Sequence, residues 1–284
     1  MASERQAAAF FDLDRTLIAG SSLFEFGRAA YRAGFFSRRQ LMRDIWGNLR
    51  FRMRGSTDQE TEAVKDRIGQ MIAGVRVLDL ARLTPDILTG ILPRVYPRML
   101  KVAYAHQDAG RPIYICTAAS QEISDLLANV LSFDGAIATQ AEIVDGYYTG
   151  RYSGPFTYRQ GKADAMEQFA TTEGIDLSAS YAYSDSESDL PMLELVGHPV
   201  VVNSDAALTK IARERGWEIM RFEKLAQRIK LAGVIGMAGA VSGLGTVLLT
   251  RRGRGRRLRP AELQHLVAGL KQVRGQTPKR LLRR

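Results

Sequence analysis

The chain has 284 residues, 45% of them hydrophobic and 25% charged, an ordinary globular composition with enough apolar material for a sizeable core. A single cysteine, Cys116, excludes a disulfide framework, and no Cys/His cluster suggests zinc. The formal charge of +10 is uneven: residues 251–284 hold 12 Lys/Arg against one acid, Glu262, so the basic character belongs to the tail and the remainder is close to neutral.

Residues 1–6 carry no apolar stretch, so no signal peptide is expected and the body is placed in the cytoplasm. Ala7-Ala8-Ala9-Phe10-Phe11 is a short apolar run that suits a strand buried on both faces. Asp12 and Asp14 follow where such a strand must end, because charge cannot continue into a core. In an open α/β sheet that end is where ligands bind. Asp12 is thereby a candidate nucleophile and Asp14 a candidate acid/base, although an Asp-rich turn alone would look the same.

From residue 19 to about 92 the pattern is helical, with Leu41, Ile45 and Leu49 marking one apolar face. Gly34, Gly55 and Gly74 read as helix stops and Ser56-Thr57-Asp58 as a cap. No strand pattern interrupts this stretch, which reads as a helical insert between the first strand and the rest of the sheet. Its early part is basic, with eight Arg between residues 19 and 56 against Glu25 and Asp44. That is either a solvated face or a surface attracting an anionic substrate or membrane.

Beyond Pro97 a helix to Gly110 leads into a strand over 112–117 that ends in Thr117, with Ala118-Ala119-Ser120 turning into a helix over 121–131. Residues 135–138 read as another strand. Asp145-Gly146 between alternating residues signals a hairpin. A helix over 160–174 carries Lys162 in its first turn. Tyr181-Ala182-Tyr183 is a strand ending in Ser184-Asp185-Ser186-Glu187-Ser188-Asp189, and helices and strands alternate to Met220. Such alternation predicts an α/β fold with a parallel sheet covered on both sides. Cys116 and its apolar strand belong to the core. His106, His198 and His265 have no partners in the pattern.

Three strand ends therefore share one sheet edge: Asp12/Asp14, Thr117, and Asp185/Asp189, with Lys162 nearby. Packed carboxylates repel unless a cation is present, and a hard divalent ion, Mg²⁺ above all, answers that need. The chemistry that suits such a set is phosphoryl transfer, which rests on positioning and charge neutralisation.

In order and spacing, Asp12-Leu13-Asp14-Arg15-Thr16, Thr117, Lys162 and Asp185-Ser186-Glu187-Ser188-Asp189 resemble the four motifs of the haloacid dehalogenase superfamily, and the insert resembles its first cap type, as in phosphoserine-phosphatase-like members. The resemblance covers roughly residues 8–222. It implies a Rossmann-like core over 1–19 and 97–224 with a helical cap over 20–96. It also implies a phosphomonoesterase in which Asp12 forms an aspartyl-phosphate and Asp14 protonates the leaving alcohol, then activates water. Mg²⁺ would be held by Asp12, the Asp14 backbone carbonyl and Asp185, with Asp189 orienting that shell, and Thr117 and Lys162 would bind the phosphate. Asp14 argues against the dehalogenase branch. The acid expected about nine residues after the nucleophile for a phosphoserine amine is here Ser21, with Glu25 four further on. The expected substrate is accordingly either a small phosphorylated metabolite or a lipid phosphate, the latter suited to the basic, aromatic-rich cap. A phosphotransferase or phosphomutase, and a catalytically silent, membrane-tethered binder of a phosphorylated ligand, are the alternatives.

Residues 231–250 carry no charge, contain Gly239-x-x-x-Gly243, and are followed by six Arg between 251 and 259. Twenty residues at 1.5 Å each just match a bilayer core of about 30 Å. Residues 225–250 are expected to associate with the membrane and the basic tail, 251–284, with anionic lipid on the inner face. No nucleic-acid recognition module accompanies the tail.

Overall fold

The computed structural model describes residues 6–35, 58–204 and 206–222. The apolar helix face at Leu41, Ile45 and Leu49, the stop at Gly55, the Ser56-Thr57 part of the cap, and everything from 223 onward, including the run 231–250 and the basic tail, lie outside them. Met1–Phe222 forms one compact unit.

Strand β1 (Ala9–Phe11) is followed by α1 (Ser22–Arg32), α2 (Asp58–Ile72), α3 (Val77–Ala81), α4 (Thr84–Ile91) and α5 (Pro97–Asp108). Then come β2 (Ile113–Ser120), α6 (Gln121–Val130), β3 (Gly135–Thr139), a hairpin of β4 (Ala141–Val144) and β5 (Tyr147–Tyr152), and α7 (Gln160–Glu173). Strand β6 (Tyr181–Ser184), α8 (Leu190–Glu194), β7 (His198–Val202), α9 (Ala206–Glu214) and β8 (Glu218–Met220) complete the described chain. Six strands form one parallel sheet in the order β3-β2-β1-β6-β7-β8. The chain builds outward from β1 on one side, then crosses to build outward on the other. Asp12 thus ends the strand at the point where the order reverses, which is where a crevice opens in such sheets.

Alternate side chains of a strand face opposite sides, and the core divides accordingly. Phe11, Ile113, Ile115, Tyr183 and Val202 bury one face with Met99 and Ala103 of α5. Phe10, Tyr114, Cys116, Ala182 and Val201 bury the other with Met166 and Ala170 of α7. The helical insert is continuous with the first of these: Ala29, Ala30, Ile87 and Ile91 pack in the same cluster as Leu13, Leu17 and Ile18.

Two details differ from the sequence expectation. Strand β2 runs on to Ser120, so Ala118 to Ser120 are not the turn. Its pairing with β3 shifts register between Cys116 and Ser120, and the irregular stretch begins at Thr117. Bulges of this kind re-aim side chains next to functional sites. The second is the hairpin. Its turn is as expected, with Asp145 and Gly146 both at positive φ (51° and 79°), as a two-residue turn of the primed type requires. Beyond the turn, it clamps the insert. Gly74 and Val77 donate to the carbonyls of Tyr148 and Gly146, Tyr148 donates back to Val75, and the Tyr152 hydroxyl donates to the Lys65 carbonyl at 2.9 Å.

Candidate active site

After β1 the chain turns tightly on itself. The Leu17 amide donates to the carbonyls of Asp12 and Leu13, that of Ile18 donates to Leu13, and Arg15 takes a positive φ of 63°. This turn lifts Asp12 and Asp14 over the end of the sheet while Leu13, Leu17 and Ile18 stay fully buried beneath.

Lys162 Nζ donates to Asp12 Oδ1 at 2.8 Å and lies 2.9 Å from both carboxylate oxygens of Asp189. The Ser184 hydroxyl at the end of β6 donates to Asp189 Oδ2 at 2.7 Å. Asp12, Lys162, Asp185 and Asp189 are all buried. Burial pushes the Asp12 carboxyl well above the usual carboxylate range, against the pull of Lys162, and the neighbouring Asp189 and Asp185 push it further. Burial alone would lower Lys162, but the two carboxylates outweigh it and hold the ammonium above its ordinary value. Asp185 Oδ2 is 3.1 Å from Arg15 Nη2, an ion pair rather than an aligned hydrogen bond.

Asp14 faces another way. Its Oδ1 accepts from the Ser22 amide at 2.7 Å and its Oδ2 from the Ser21 hydroxyl at 2.8 Å, which ties it to the start of α1. Thr117 is buried two residues past Ile115, the β2 partner of Phe11. Its hydroxyl accepts from the Ala119 amide at 3.2 Å. Cys116 is fully buried, and burial pushes its thiol up to about 12, so it is packing material.

The structure therefore brings Asp12, Lys162 and Asp189 into direct contact, sets Asp185 and Thr117 on the same sheet edge, and turns the Asp14 carboxylate toward the insert. Sequence reasoning missed Ser184, Arg15 and the Ser21–Ser22 cradle. Only the place of Ser184 at a strand end gave any signal.

Three buried carboxylates against one buried ammonium leave room for a further cation. The donors are oxygens only, as a hard ion prefers. Among the described residues no three His, Cys, Asp or Glu side chains converge closely enough to hold a metal alone. A metal held here would therefore need water or substrate oxygens beside the protein's carboxylates.

The site is thus a parallel α/β sheet whose central strand ends in an Asp-x-Asp pair, the first Asp bonded to a buried lysine, and its class is that of an α/β-fold hydrolase. The chain belongs to the haloacid dehalogenase-like hydrolase family, whose model matches residues 9–194. It is 37% identical over 250 residues to phosphoserine phosphatase SerB1 of Mycobacterium tuberculosis, covering 87% of this chain and 81% of that protein. A Bordetella pertussis protein of unknown function superposes with a TM-score of 0.68 at 27% identity, covering 76% of this chain and 98% of that one. A phosphoserine phosphatase solved with a phospho-aspartyl intermediate analogue shares the fold, with a TM-score of 0.56 at 18% identity over 80% of this chain and 99% of that one.

Proposed function

We propose that the chain is a Mg²⁺-dependent phosphomonoester hydrolase that works through an aspartyl-phosphate on Asp12. The observation that carries this is the buried Asp12–Lys162–Asp189 contact beneath an edge that also holds Asp14 and Asp185. The phosphatase names of its relatives agree with it.

Asp12 attacks phosphorus through the carboxylate oxygen that is not bonded to Lys162. The bond to the leaving oxygen breaks as the Asp12–phosphorus bond forms, and Asp14 delivers a proton to the departing alkoxide. Asp14 then takes a proton from the water that cleaves the acyl phosphate, which returns Asp12. Lys162 holds the nucleophile in place and offsets charge on the transferring group, while Asp189, itself bonded by the Ser184 hydroxyl, holds Lys162. Thr117 donates to a phosphate oxygen. Asp12, the Asp14 backbone carbonyl and Asp185 would hold Mg²⁺, which when bound neutralises charge on the phosphate oxygens.

The substrate class is a small phosphorylated alcohol, with phosphoserine the first to test because of SerB1. A lipid phosphate is favoured as a second reading by the uncharged run 231–250 and the six Arg after it, which support attachment to an anionic membrane surface. Hydrolysis of an aryl phosphate with Mg²⁺ and with chelator, by wild type and by Asp12→Asn, tests the central reading. Turnover should need Mg²⁺ and fall at least about a thousandfold in the variant. Equal rates would sink it.

A further inference from the structure

The proton must reach the leaving alcohol from Asp14, if Asp14 is the acid/base of the proposed reaction, and the first turn of α1 is what borders Asp14. The Ser22 amide and Ser21 hydroxyl bind its carboxylate, and Leu23 and Phe24 follow at once, 47% and 51% exposed. Single exposed apolar residues are common. Two in sequence, directly after the two serines that bind Asp14, are apolar surface open to a substrate at the start of α1.

The next residue, Glu25, is the acid of α1 and, among the described residues, has its charge met by two arginines. It is 2% exposed. Its Oε1 lies 2.8 Å from Arg94 Nη2 and its Oε2 3.5 Å from Arg28 Nε. Gly90 of α4 abuts the carboxylate so closely that a Cβ there would lie 2.2 Å from Oε2. Glu25 is thus locked against α4 with its single charge offset by two guanidiniums. Those guanidiniums are themselves partly open to solvent, at 44% and 38% side-chain exposure, so the Glu25–Arg28–Arg94 cluster by itself carries one net positive charge. Arg28 lies one turn beyond Phe24 on the same helix face.

We propose that this corner selects phosphomonoesters whose alcohol carries no ammonium group and presents an apolar body, with Leu23 and Phe24 as the contact and the Glu25–Arg28–Arg94 cluster as the charge filter. Serving an ammonium group here would cost Asp14 its place in the proton transfer or require Glu25 to break out of a buried ion pair. Neither requirement arises for an uncharged or anionic alcohol.

The test is a kinetic comparison on the full chain with Mg²⁺, using p-nitrophenyl phosphate, O-phosphoserine, 3-phosphooxypropanoate (the same skeleton without the ammonium), ethyl phosphate and hexyl phosphate. The amine-free analogue should exceed O-phosphoserine in kcat/KM by tenfold or more, and hexyl should exceed ethyl phosphate by a similar factor. Leu23→Ser with Phe24→Ser should abolish the hexyl advantage through KM, and Arg94→Met should narrow the gap between the two acids. If Arg94→Met does not fold, the wild-type comparisons still decide. A preference for O-phosphoserine over its amine-free analogue overturns the filter, and equal rates for ethyl and hexyl phosphate overturn the apolar contact, both leaving the hydrolase intact. No turnover of p-nitrophenyl phosphate overturns the hydrolase reading and this selectivity with it.

Discussion

His106 has no part in the proposed chemistry, yet its surroundings make it a sensitive reporter of the fold. It is buried at the end of α5. Arg111 Nε donates to its Nδ1 at 2.8 Å, which leaves Nε2–H to donate to the Tyr183 hydroxyl at 2.7 Å. The rings of Phe11, Tyr181 and Tyr183 enclose it. A proton on Nδ1 would point at a guanidinium. Burial first, and Arg111 second, lower its pKa from 6.5 to about 4. The unfolded chain therefore binds a proton between pH 6.5 and 4 that the native state refuses. The resulting stability is fully present above pH 6.5 and is lost as pH falls through that window, on the order of 2 kcal/mol. His106→Gln keeps an acceptor and a donor but does not titrate. Denaturant midpoints at pH 7 and 4.5 should show a smaller acid loss in the variant than in wild type, and equal losses would remove His106 as the cause.

At the scale of elements, the insert is held by the β4–β5 hairpin as well as by the shared core. Helix α2 meets β5 at Gly69 and Gly150, whose backbones approach so closely that a Cβ on Gly69 would lie 2.2 Å from the Gly150 carbonyl oxygen. Backbone cannot give way as a flexible side chain can, so Gly69→Ala must push α2 off the hairpin. Overpacking of this sort costs about 1–3 kcal/mol. The loss should be local. Amide exchange should quicken at Gly74 and Tyr148, whose hydrogen bonds stitch the two elements together, while β1 and β6 amides stay protected. Uniform loss of protection across the sheet would show that α2 and the core unfold as one.

For the whole molecule, charge and chemistry divide along the sequence. All the residues proposed to act lie before 190, and the excess of basic residues lies after 250. Among the described residues no helix is long and apolar enough to cross a membrane, and the attachment proposed above rests on 231–284. A polybasic segment contributes about 1 kcal/mol per Lys/Arg near an anionic leaflet, and under this proposal the uncharged run would add an anchor that salt does not screen. Truncation after Leu225 should leave p-nitrophenyl phosphate turnover unchanged and move the protein from the membrane fraction to the soluble one. Full-length protein that stays soluble at low salt would end this reading, and release by high salt alone would reduce it to a surface contact.

The sequence by itself determined what local physics controls. An apolar run closed by Asp12 and Asp14 reads as a buried strand with its acids at the edge once the later strand ends supply partners. Asp145-Gly146 can supply the two positive φ angles of a tight hairpin, and helix–strand alternation forces parallel pairing, so Asp12, Thr117 and Asp185 had to share an edge. The tertiary structure alone decided the strand order that puts β1 at the reversal. It also paired Lys162 with Asp12 across 150 residues of sequence and gave Asp189 to Lys162 and Ser184. It turned Asp14 toward α1 and spent Glu25 on Arg28 and Arg94. The distant contacts among these, Lys162 with Asp12 and Glu25 with Arg94, depend on which side chains meet after the layers pack, and a one-dimensional pattern of hydrophobicity and charge carries no record of such partners.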